Sequence, residues 1–529
     1  MGKNKKKPSP SQTSPLKEHQ QIGKKLHPPL AKLNVKPTRY SIDMLPELLL
    51  IDAVVSQLSW SAAPGALHRA FDVLDQFVPP GSKDFLTGLI SSMKLIPEDR
   101  RADARAALVD AHLDAVIWPE GLRHGLALYP ECPAAWIFAA WRKENTVDWQ
   151  EGISYLKDAV RRLWNSKGVH STRCRMFPVA RMALHGKLHF MRTPEQERLL
   201  DLLVGYPTQL TEDEQRQVEA TSRSMFGALS ELIMGEGVSD WVPYFWRKNY
   251  DLSLCERLSE TQKVFVVEGE VKQVLSAIKT FTEEITSVFR KAIQLAKLDL
   301  YDTDRDEVLF GLLGRQNRLF KLLVANPSLW TADLGTMLHR VMVDALITFK
   351  WLMKKNDPSL FYQFKQYSLG KQKLLHLHVQ DLTSEGREEL EQFAEELADE
   401  VNEEIWEELL SVDLGGNFAN MDMRKMAYEV DLQEIYRLVY SPASSELHGE
   451  WTSLKKFNLV RCANPLHRFH RLPQLDSENY LSPQVVIRAG SLLIDTFLVW
   501  LDAYQLQHLS KDVKDFVPGL EASFSPLVG

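Results

Sequence analysis

Residues 385–411, EGREELEQFAEELADEVNEEIWEELLS, carry the clearest helical period in the chain. Their apolar side chains recur at spacings of three and four, which places on one buried face Leu390, Phe393, Ala394, Leu397, Ala398, Val401, Ile405 and Leu409. The same stretch contains twelve acidic residues and a single arginine. They could form a face that binds a cation or a protein, but charge runs on amphipathic helices are more often solvated. We therefore predict a helix with an apolar buried side and a hydrated acidic side.

Similar patterns extend in both directions from this helix. In the second half they predict helices over 260–298, 305–324 and 331–355. In the first half they predict helices over 45–58, 65–77, 84–93, 100–115 and 149–163, and near 176–192 and 212–234. Prolines such as Pro97 and Pro119 separate them, because proline lacks the amide donor that a helix interior needs. Only residues 264–271, VFVVEGEV, alternate briefly like a strand. The predicted fold class is all-α.

Length and charge divide the chain into three parts. A chain of 529 residues with 44% apolar residues can build two helical domains, which we predict over 39–242 and 243–529. Residues 1–38 are rich in Lys, Pro, Ser and Gln, which predicts a flexible basic tail. Its lysines would suit contacts with phosphates, or the tail is a solubilising leader without a dedicated partner.

Composition also excludes several classes of protein. The net charge of −7 excludes a uniformly basic nucleic-acid coat protein. Four widely spaced cysteines favour a reducing, cytoplasmic setting over a disulfide scaffold or a zinc ribbon. The most apolar window, residues 489–501, is too short to span a bilayer and predicts a buried helix of a soluble protein without a membrane partner. Phosphate-binding loops, dinucleotide-binding motifs, zinc-protease motifs and nucleophile elbows are missing from the sequence.

Polar and aromatic residues concentrate between residues 421 and 470. Tyr436, Tyr440, Ser444 and His448 follow at spacings of four, so they would form one stripe on a continuous helix, with Arg437 beside it. One interpretation is a buried network in which the hydroxyls and the imidazole bond to one another. The other is a polar cleft in which His448 acts as a general acid or base.

These residues resemble a known family. Arg340 with Asp344 four residues later, the aromatic segment 361–367 (FYQFKQY), and the Tyr–Tyr–Ser–His stripe that follows Ala427 are similar to bacterial proteins of domain-of-unknown-function family 5677. The resemblance covers about residues 310–505. It implies an all-helical bacterial domain without an established activity, and by general likeness it suggests the HEPN class, whose toxins cut RNA without a metal.

The HEPN signature is an arginine followed four to six residues later by a histidine. Arg461 and His467 have this spacing. The signature often has a polar residue directly after the arginine, where this chain has Cys462, and Pro465 would disturb a helix there. RNA cleavage without a metal needs a base for the ribose 2′-hydroxyl and a cation for the phosphorane charge. His467 or His448, together with Arg461 or Arg437, would supply these groups, and Tyr440 and Ser444 complete the predicted catalytic residues.

Two further alternatives stay open. His448, His467 and His470 with Glu446 and Glu450 would offer enough ligands for a metal, but histidine clusters more often make hydrogen bonds, so we expect no metal and no other cofactor. The chain is either a metal-independent ribonuclease of the toxin or phage-defence kind, or a non-catalytic helical binding or regulatory protein. The candidate partners are RNA, another protein and a second copy of the chain in a homodimer.

Overall fold

The computed structural model describes most of the chain as two helical units. The described residues are 20–22, 25–27, 39–79, 84–187, 198, 202, 206, 210–234, 240–256, 268–301, 303–404, 410–415, 417–474 and 482–524. Unit 1 comprises residues 1–258 and 461–471, and unit 2 comprises residues 259–460 and 472–529. Nearly all of the regular structure in the described residues is helical, which confirms the predicted all-α class.

Unit 1 is built from short and medium-length helices. Its described α-helices are α1 Leu49–Gln57, α2 Ala63–Asp75, α3 Arg101–Asp110, α4 Asp114–Ile117, α5 Glu120–Leu126, α6 Ala135–Glu144, α7 Trp149–Trp164, α8 Val169–Leu184, α9 Glu212–Met234 and α10 Trp241–Leu252. A π-helical turn, Tyr40–Met44, and 3-10 segments at Leu45–Leu48, Ile90–Leu95 and Glu98–Arg100 precede or connect them. Many of their apolar faces meet in one core, in which Trp118, Phe71 and Phe245 are fully buried. Burial of these large aromatic side chains stabilises the unit.

Glycine permits a close contact between two helices of unit 1. A Cβ atom on Gly152 of α7 would lie 2.7 Å from the backbone nitrogen of Gly125 in α5. Helix α7 itself begins where the Asp148 carboxylate accepts hydrogen bonds from the backbone amides of Gln150 and Glu151. The cap and the glycine together fix where α7 starts and how near it lies to α5.

Unit 2 contains the longer helices. Its described α-helices are α11 Glu268–Leu295, α12 Asp304–Ala325, α13 Ala332–Lys355, α14 Pro358–Ser384, α15 Glu391–Glu404, α16 Met423–Glu429, α17 Gln433–Ile435, α18 Ser441–Leu447, α19 Trp451–Phe457, α20 Pro483–Ala503 and α21 Phe516–Ser523. A π-helical turn, Tyr436–Tyr440, joins α17 to α18, and 3-10 segments lie at Pro327–Leu329, Glu388–Leu390 and Gln507–Val513. The ends of α13 and α14 are set by local sequence: Asn356 adopts a left-handed conformation, and the Asp357 carboxylate caps the amide of Ser359.

The core of unit 2 forms where α12, α13 and α20 pack together. Helices α13 and α20 approach closely at Gly335, where an added Cβ would lie 2.3 Å from a methyl group of Val485. Within this core the amide of Gln316 donates to the Met342 carbonyl and the Thr496 hydroxyl. Helix α13 thereby gains a fixed position, which orients the polar side chains on its other faces.

Helix α20 is the one helix among the described residues that is long and apolar enough to cross a membrane. It spans Pro483–Ala503, which extends beyond the 13-residue apolar window seen in the sequence. However, 67% of its most apolar stretch is buried inside the protein, as expected for a core helix. Its buried side chains include Val486, Leu493, Phe497 and Trp500.

Strands are short in the described residues. Strand β1, Gln20–Ile22, pairs antiparallel with β2, Lys25–His27, and β3, Leu459–Arg461, pairs with β4, Arg471–Pro473. β1 and β2 fall within the predicted basic tail, most of which lies outside the described residues. The β3–β4 connection holds residues 462–470, and it contains a 3-10 turn at Pro465–His467.

The observed element bounds follow the predicted helices with a few differences. The predicted helix over 84–93 is wrong, because residues 84–87 have no regular secondary structure and a 3-10 segment follows at Ile90–Leu95. Helix α8 begins at Val169, earlier than predicted, and accommodates Pro178. Unit 1 also extends past the predicted boundary at residue 242, because α10 contributes Phe245 and Trp246 to its core. The predicted acidic helix is observed as α15, and residues 405–409 lie outside the described residues.

Candidate functional site

Arg340 joins two helical segments of unit 2. From α13 its Nη1 donates to the Ser444 Oγ of α18 at 2.8 Å, and its Nη2 donates to the Tyr440 hydroxyl at 3.4 Å. The guanidinium also lies over the Tyr440 ring, 4.7 Å from its centroid. All three side chains are half-buried. We call these three residues, together with Asp344 on α13, the Arg340 cluster.

The π-helical turn determines which tyrosines reach this cluster. Tyr436 and Tyr440 stack with their ring centroids 4.9 Å apart, and their planes differ by 20°. Pro442 lies in the first turn of α18. Proline is tolerated there, because the backbone amides of a first turn make no hydrogen bond within the helix. Single π-helical turns occur often at functional sites, because the wider turn displaces side chains from the regular helical stripe. The predicted four-residue stripe is therefore divided at Tyr440.

Asp344 lies one helical turn after Arg340 on α13. Its Oδ1 is buried and has no hydrogen-bond partner among the described residues. Burial raises the pKa of this carboxyl, and the charges of Arg340 and Arg315 oppose that rise without cancelling it. Burial, followed by the nearby Asp344 charge, also raises the pKa of the Tyr440 hydroxyl. The cluster thus combines a cation, two hydroxyl groups and a carboxyl group that binds its proton more tightly than usual.

The predicted residues of the Tyr–Ser–His stripe reach different surroundings. Tyr440 and Ser444 belong to the Arg340 cluster. His448 is exposed at the end of α18, where its backbone amide donates to the Ser444 carbonyl. Arg437 is also exposed, and its guanidinium donates to the Tyr428 hydroxyl while lying 5.3 Å from the centroid of that ring. Tyr428 thus supplies a partner for the arginine that the sequence analysis assigned to catalysis.

Arg461 and His467 lie in unit 1, whereas Arg437, Tyr440, Ser444 and His448 lie in unit 2. Arg461 is exposed on β3. His467 is 6% exposed, and its ring faces the sulfur atoms of Cys255 and Cys462. Burial lowers the pKa of His467. The histidine of the predicted Arg–His pair is therefore buried and in contact with two cysteines.

The metal ligands considered from the sequence are also divided between the units. His467 and His470 lie together in unit 1, with their ring centroids 5.9 Å apart. His448, Glu446 and Glu450 belong to unit 2. The Glu450 carboxylate there accepts a hydrogen bond from the Ser445 hydroxyl at 2.8 Å.

The C-terminal half of the chain can be compared with known families. Residues 306–463 match the sequence model of a family of unknown function, DUF5677. This match confirms the predicted resemblance, and it includes every residue of the Arg340 cluster. No curated protein and no solved structure matches the chain.

Sequence reasoning omitted Arg340 and Asp344 from the catalytic residues, although their spacing contributed to the resemblance. Four residues separate them, so they occupy one face of α13. That signal could have suggested a shared site, but the hydrogen bonds of Arg340 to Tyr440 and Ser444 join positions about 100 residues apart. His467 and His470 were considered as metal ligands, but no local signal related them to Cys255.

Proposed function

We propose that unit 2 cleaves RNA without a metal ion, at the Arg340 cluster. The observation that carries this proposal is an arginine bonded to two hydroxyl groups next to a buried carboxyl oxygen that has no hydrogen-bond partner in the described part of the chain. A guanidinium can bind two phosphate oxygens at once and stabilise the added charge of a phosphorane. A carboxyl group whose pKa is raised is suited to proton transfer nearer neutral pH.

In the proposed reaction the ribose 2′-oxygen attacks the adjacent phosphorus atom. The bond from the 2′-oxygen to phosphorus forms while the bond from phosphorus to the 5′-oxygen breaks, leaving a 2′,3′-cyclic phosphate and a free 5′-hydroxyl. Asp344 accepts the proton of the 2′-hydroxyl, and water supplies a proton to the leaving 5′-oxygen. Arg340 holds the phosphoryl oxygens, and Tyr440 and Ser444 orient its guanidinium. The protein would belong to the toxin or phage-defence class of RNA-cutting effectors.

A non-catalytic binding or regulatory protein is the second candidate. The supporting observation is that Arg340 already makes hydrogen bonds to Ser444 and Tyr440, as an arginine that only joins two helices would. In that case the polar groups would specify the packing of α13 against α18, and recognition would take place elsewhere. The two candidates differ in whether the Arg340 cluster is required for any chemical step.

The test is cleavage of end-labelled single-stranded RNA in the presence of EDTA. We expect products with 2′,3′-cyclic phosphate ends, and no cleavage of DNA of the same sequence, which lacks the attacking hydroxyl. Arg340→Ala should lower the cleavage rate about 10²–10³-fold, the usual loss when one donor to a developing oxyanion is removed. Absence of cleavage by the wild-type chain would remove the enzymatic proposal and favour the binding protein.

Matched arginine variants separate the proposed roles. Arg424→Ala removes an exposed guanidinium that lies over Tyr428, 5.9 Å from its centroid, and it should retain cleavage. Arg437→Ala tests the arginine that the sequence favoured. If Arg437→Ala loses cleavage while Arg340→Ala retains it, the cation of the reaction is Arg437 and the proposed site is wrong.

A further inference from the structure

Two cysteines and two histidines converge in unit 1. Sγ of Cys255 lies 3.3 Å from Nδ1 of His467 and 3.3 Å from Nε2 of His470. Sγ of Cys462 lies 3.9 Å from Nδ1 of His467. One ligand atom from each of the four residues lies within 4.8 Å of all the others. We call these residues the Cys255 cluster.

We propose that the Cys255 cluster binds a structural zinc ion through two thiolates and two imidazoles. Tetrahedral zinc takes four such ligands, with bonds of about 2.3 Å to sulfur and about 2.0 Å to nitrogen, which place sulfur and nitrogen about 3.5 Å apart. The three sulfur–nitrogen distances in the cluster lie on both sides of this value. Two sulfur and two nitrogen ligands favour zinc over calcium and magnesium, which prefer oxygen.

The surroundings of His467 are suited to a metal ligand. Its Nε2 lies 3.3 Å from the Asn249 carbonyl and 3.2 Å from the Ser253 hydroxyl, while its Nδ1 faces both sulfur atoms. A proton on Nε2 is therefore donated to the carbonyl, which leaves the lone pair of Nδ1 for the metal. Ligating histidines in metalloproteins usually make this second hydrogen bond, because it fixes the tautomer and the ring orientation. Tyr250 stacks on the same ring at 5.1 Å and restricts it further.

The backbone conformation of residues 462–470 places the side chains of Cys462, His467 and His470 near Cys255. The amide of Cys462 donates to the carbonyl of His470 at 2.8 Å, which closes the segment. Between the two histidines, Arg468 and Phe469 adopt left-handed conformations with φ of 58° and 45°. Such conformations cost free energy in residues other than glycine and need support from their surroundings. Here they turn the chain so that both imidazoles reach the Cys255 sulfur.

Asn464 attaches residues 462–470 to the chain next to Cys255, the fourth ligand. It is fully buried, and its Nδ2 donates to the Leu254 carbonyl and the Ser253 hydroxyl, each at 2.9 Å. Its Oδ1 accepts from the Leu466 amide at 3.1 Å. Leu254 directly precedes Cys255, so the same side chain positions both parts of the cluster. Asn464 is a positioning residue, since its side chain bonds to residues beside the ligands and not to the ligand atoms.

The role we propose for zinc is to join the end of α10 to residues 461–471. Four protein ligands close the coordination sphere and leave no position for a substrate, which is typical of a structural site. Binding replaces the protons of the Cys255 and Cys462 thiols, so two protons are released for each zinc ion. His467 then serves as a ligand and has no part in RNA cleavage. The inference is independent of the proposed function, because metal content is measured without any RNA.

The first experiment measures metal in the purified full-length chain by mass spectrometry. We expect about one zinc per chain in the wild type, as a closed four-ligand site requires. Cys255→Ser and His470→Gln change the partly exposed ligands, and each should reduce zinc content at least about tenfold. Cys132→Ser and His508→Gln are the matched controls, because these residues lie outside the cluster, and both should retain zinc.

The second experiment uses cobalt(II) on the wild-type chain after zinc is removed by a chelator, so it needs no variant to fold. We expect the intense visible bands of tetrahedral cobalt, together with an ultraviolet band from thiolate-to-cobalt charge transfer. In Cys255→Ser that charge-transfer band should fall to about half, because one of two thiolates is lost. A wild-type chain that takes up neither zinc nor cobalt would overturn the proposal. So would a Cys255–Cys462 disulfide in the freshly purified protein, or zinc retained by both ligand variants.

Discussion

Two aspartates, one in each unit, differ in the hydrogen-bond partners that their surroundings provide. Asp52 of unit 1 is fully buried, and the Arg162 guanidinium donates to both of its oxygens, at 3.1 and 2.7 Å. His170 adds a contact of 2.6 Å to Oδ1. Asp344 of unit 2 has a buried Oδ1 without a partner among the described residues, and burial raises its pKa.

The difference separates a carboxylate that supports the fold from one that is available for chemistry. Burying a charge costs free energy unless partners compensate for the lost water, and Asp52 has such partners. Asp344 faces the same cost with incomplete compensation, so its presence lowers stability. Residues that lower stability without an evident compensating interaction occur preferentially at functional sites. This contrast is why we place the proton-transfer step at Asp344.

The largest expected effect comes from removing the partnered carboxylate. Asp52→Ala should lower the free energy of unfolding by about 3 kcal/mol, since it leaves Arg162 and His170 without their shared anion. Urea denaturation monitored by tryptophan fluorescence measures the change. Asp158→Ala is the matched control, because its ion pair with Arg161 is exposed on α7, the helix that carries Arg162, and should contribute less than about 1 kcal/mol. Equal effects of the two variants would contradict the importance of burial.

The contrast between these aspartates also shows what could be predicted from sequence. The helical class followed from spacings of three and four, because each α-helix carries its own apolar period locally. Tyr440 and Ser444 were recognised for the same reason, since they lie four residues apart. The partners of Asp52 lie 110 and 118 residues away, and no local pattern relates such distant positions.

The Cys255 cluster illustrates this limit most clearly. His467 and His470 were noticed as a pair because they are three residues apart, yet their nearest thiol comes from Cys255, more than 200 residues earlier. Four isolated cysteines gave no metal-binding spacing, so the sequence favoured no metal. Only the return of residues 461–471 to unit 1 brings Cys462 and both histidines to Cys255.

The second prediction is a gain in the free energy of unfolding, whereas the first is a loss. Asp344→Asn should raise the free energy of unfolding at neutral pH by on the order of 1 kcal/mol, because a neutral amide loses less hydration energy on burial than a carboxylate. The same variant should lose RNA cleavage, since an amide accepts no proton from the 2′-hydroxyl. A variant that is both more stable and inactive would support a functional role for Asp344. A less stable variant would show that Asp344 has structural partners after all.

The smallest expected effect is the pH dependence of the difference in unfolding free energy between the wild type and Asp344→Asn. The folded-state pKa of Asp344 is raised, so its protonated form is favoured by folding. Below the ordinary aspartate pKa of about 3.9, both folded and unfolded chains hold the proton, and ionisation contributes nothing to the difference between wild type and Asp344→Asn. As pH rises through the folded-state pKa, the wild type loses stability relative to the variant. Urea midpoints of both chains across the acidic and neutral range measure this, because the other carboxyl groups cancel in the comparison. A difference that stays constant over that range would mean that Asp344 ionises as readily in the folded chain as in the unfolded one, and it would then be unsuited to the base role we propose.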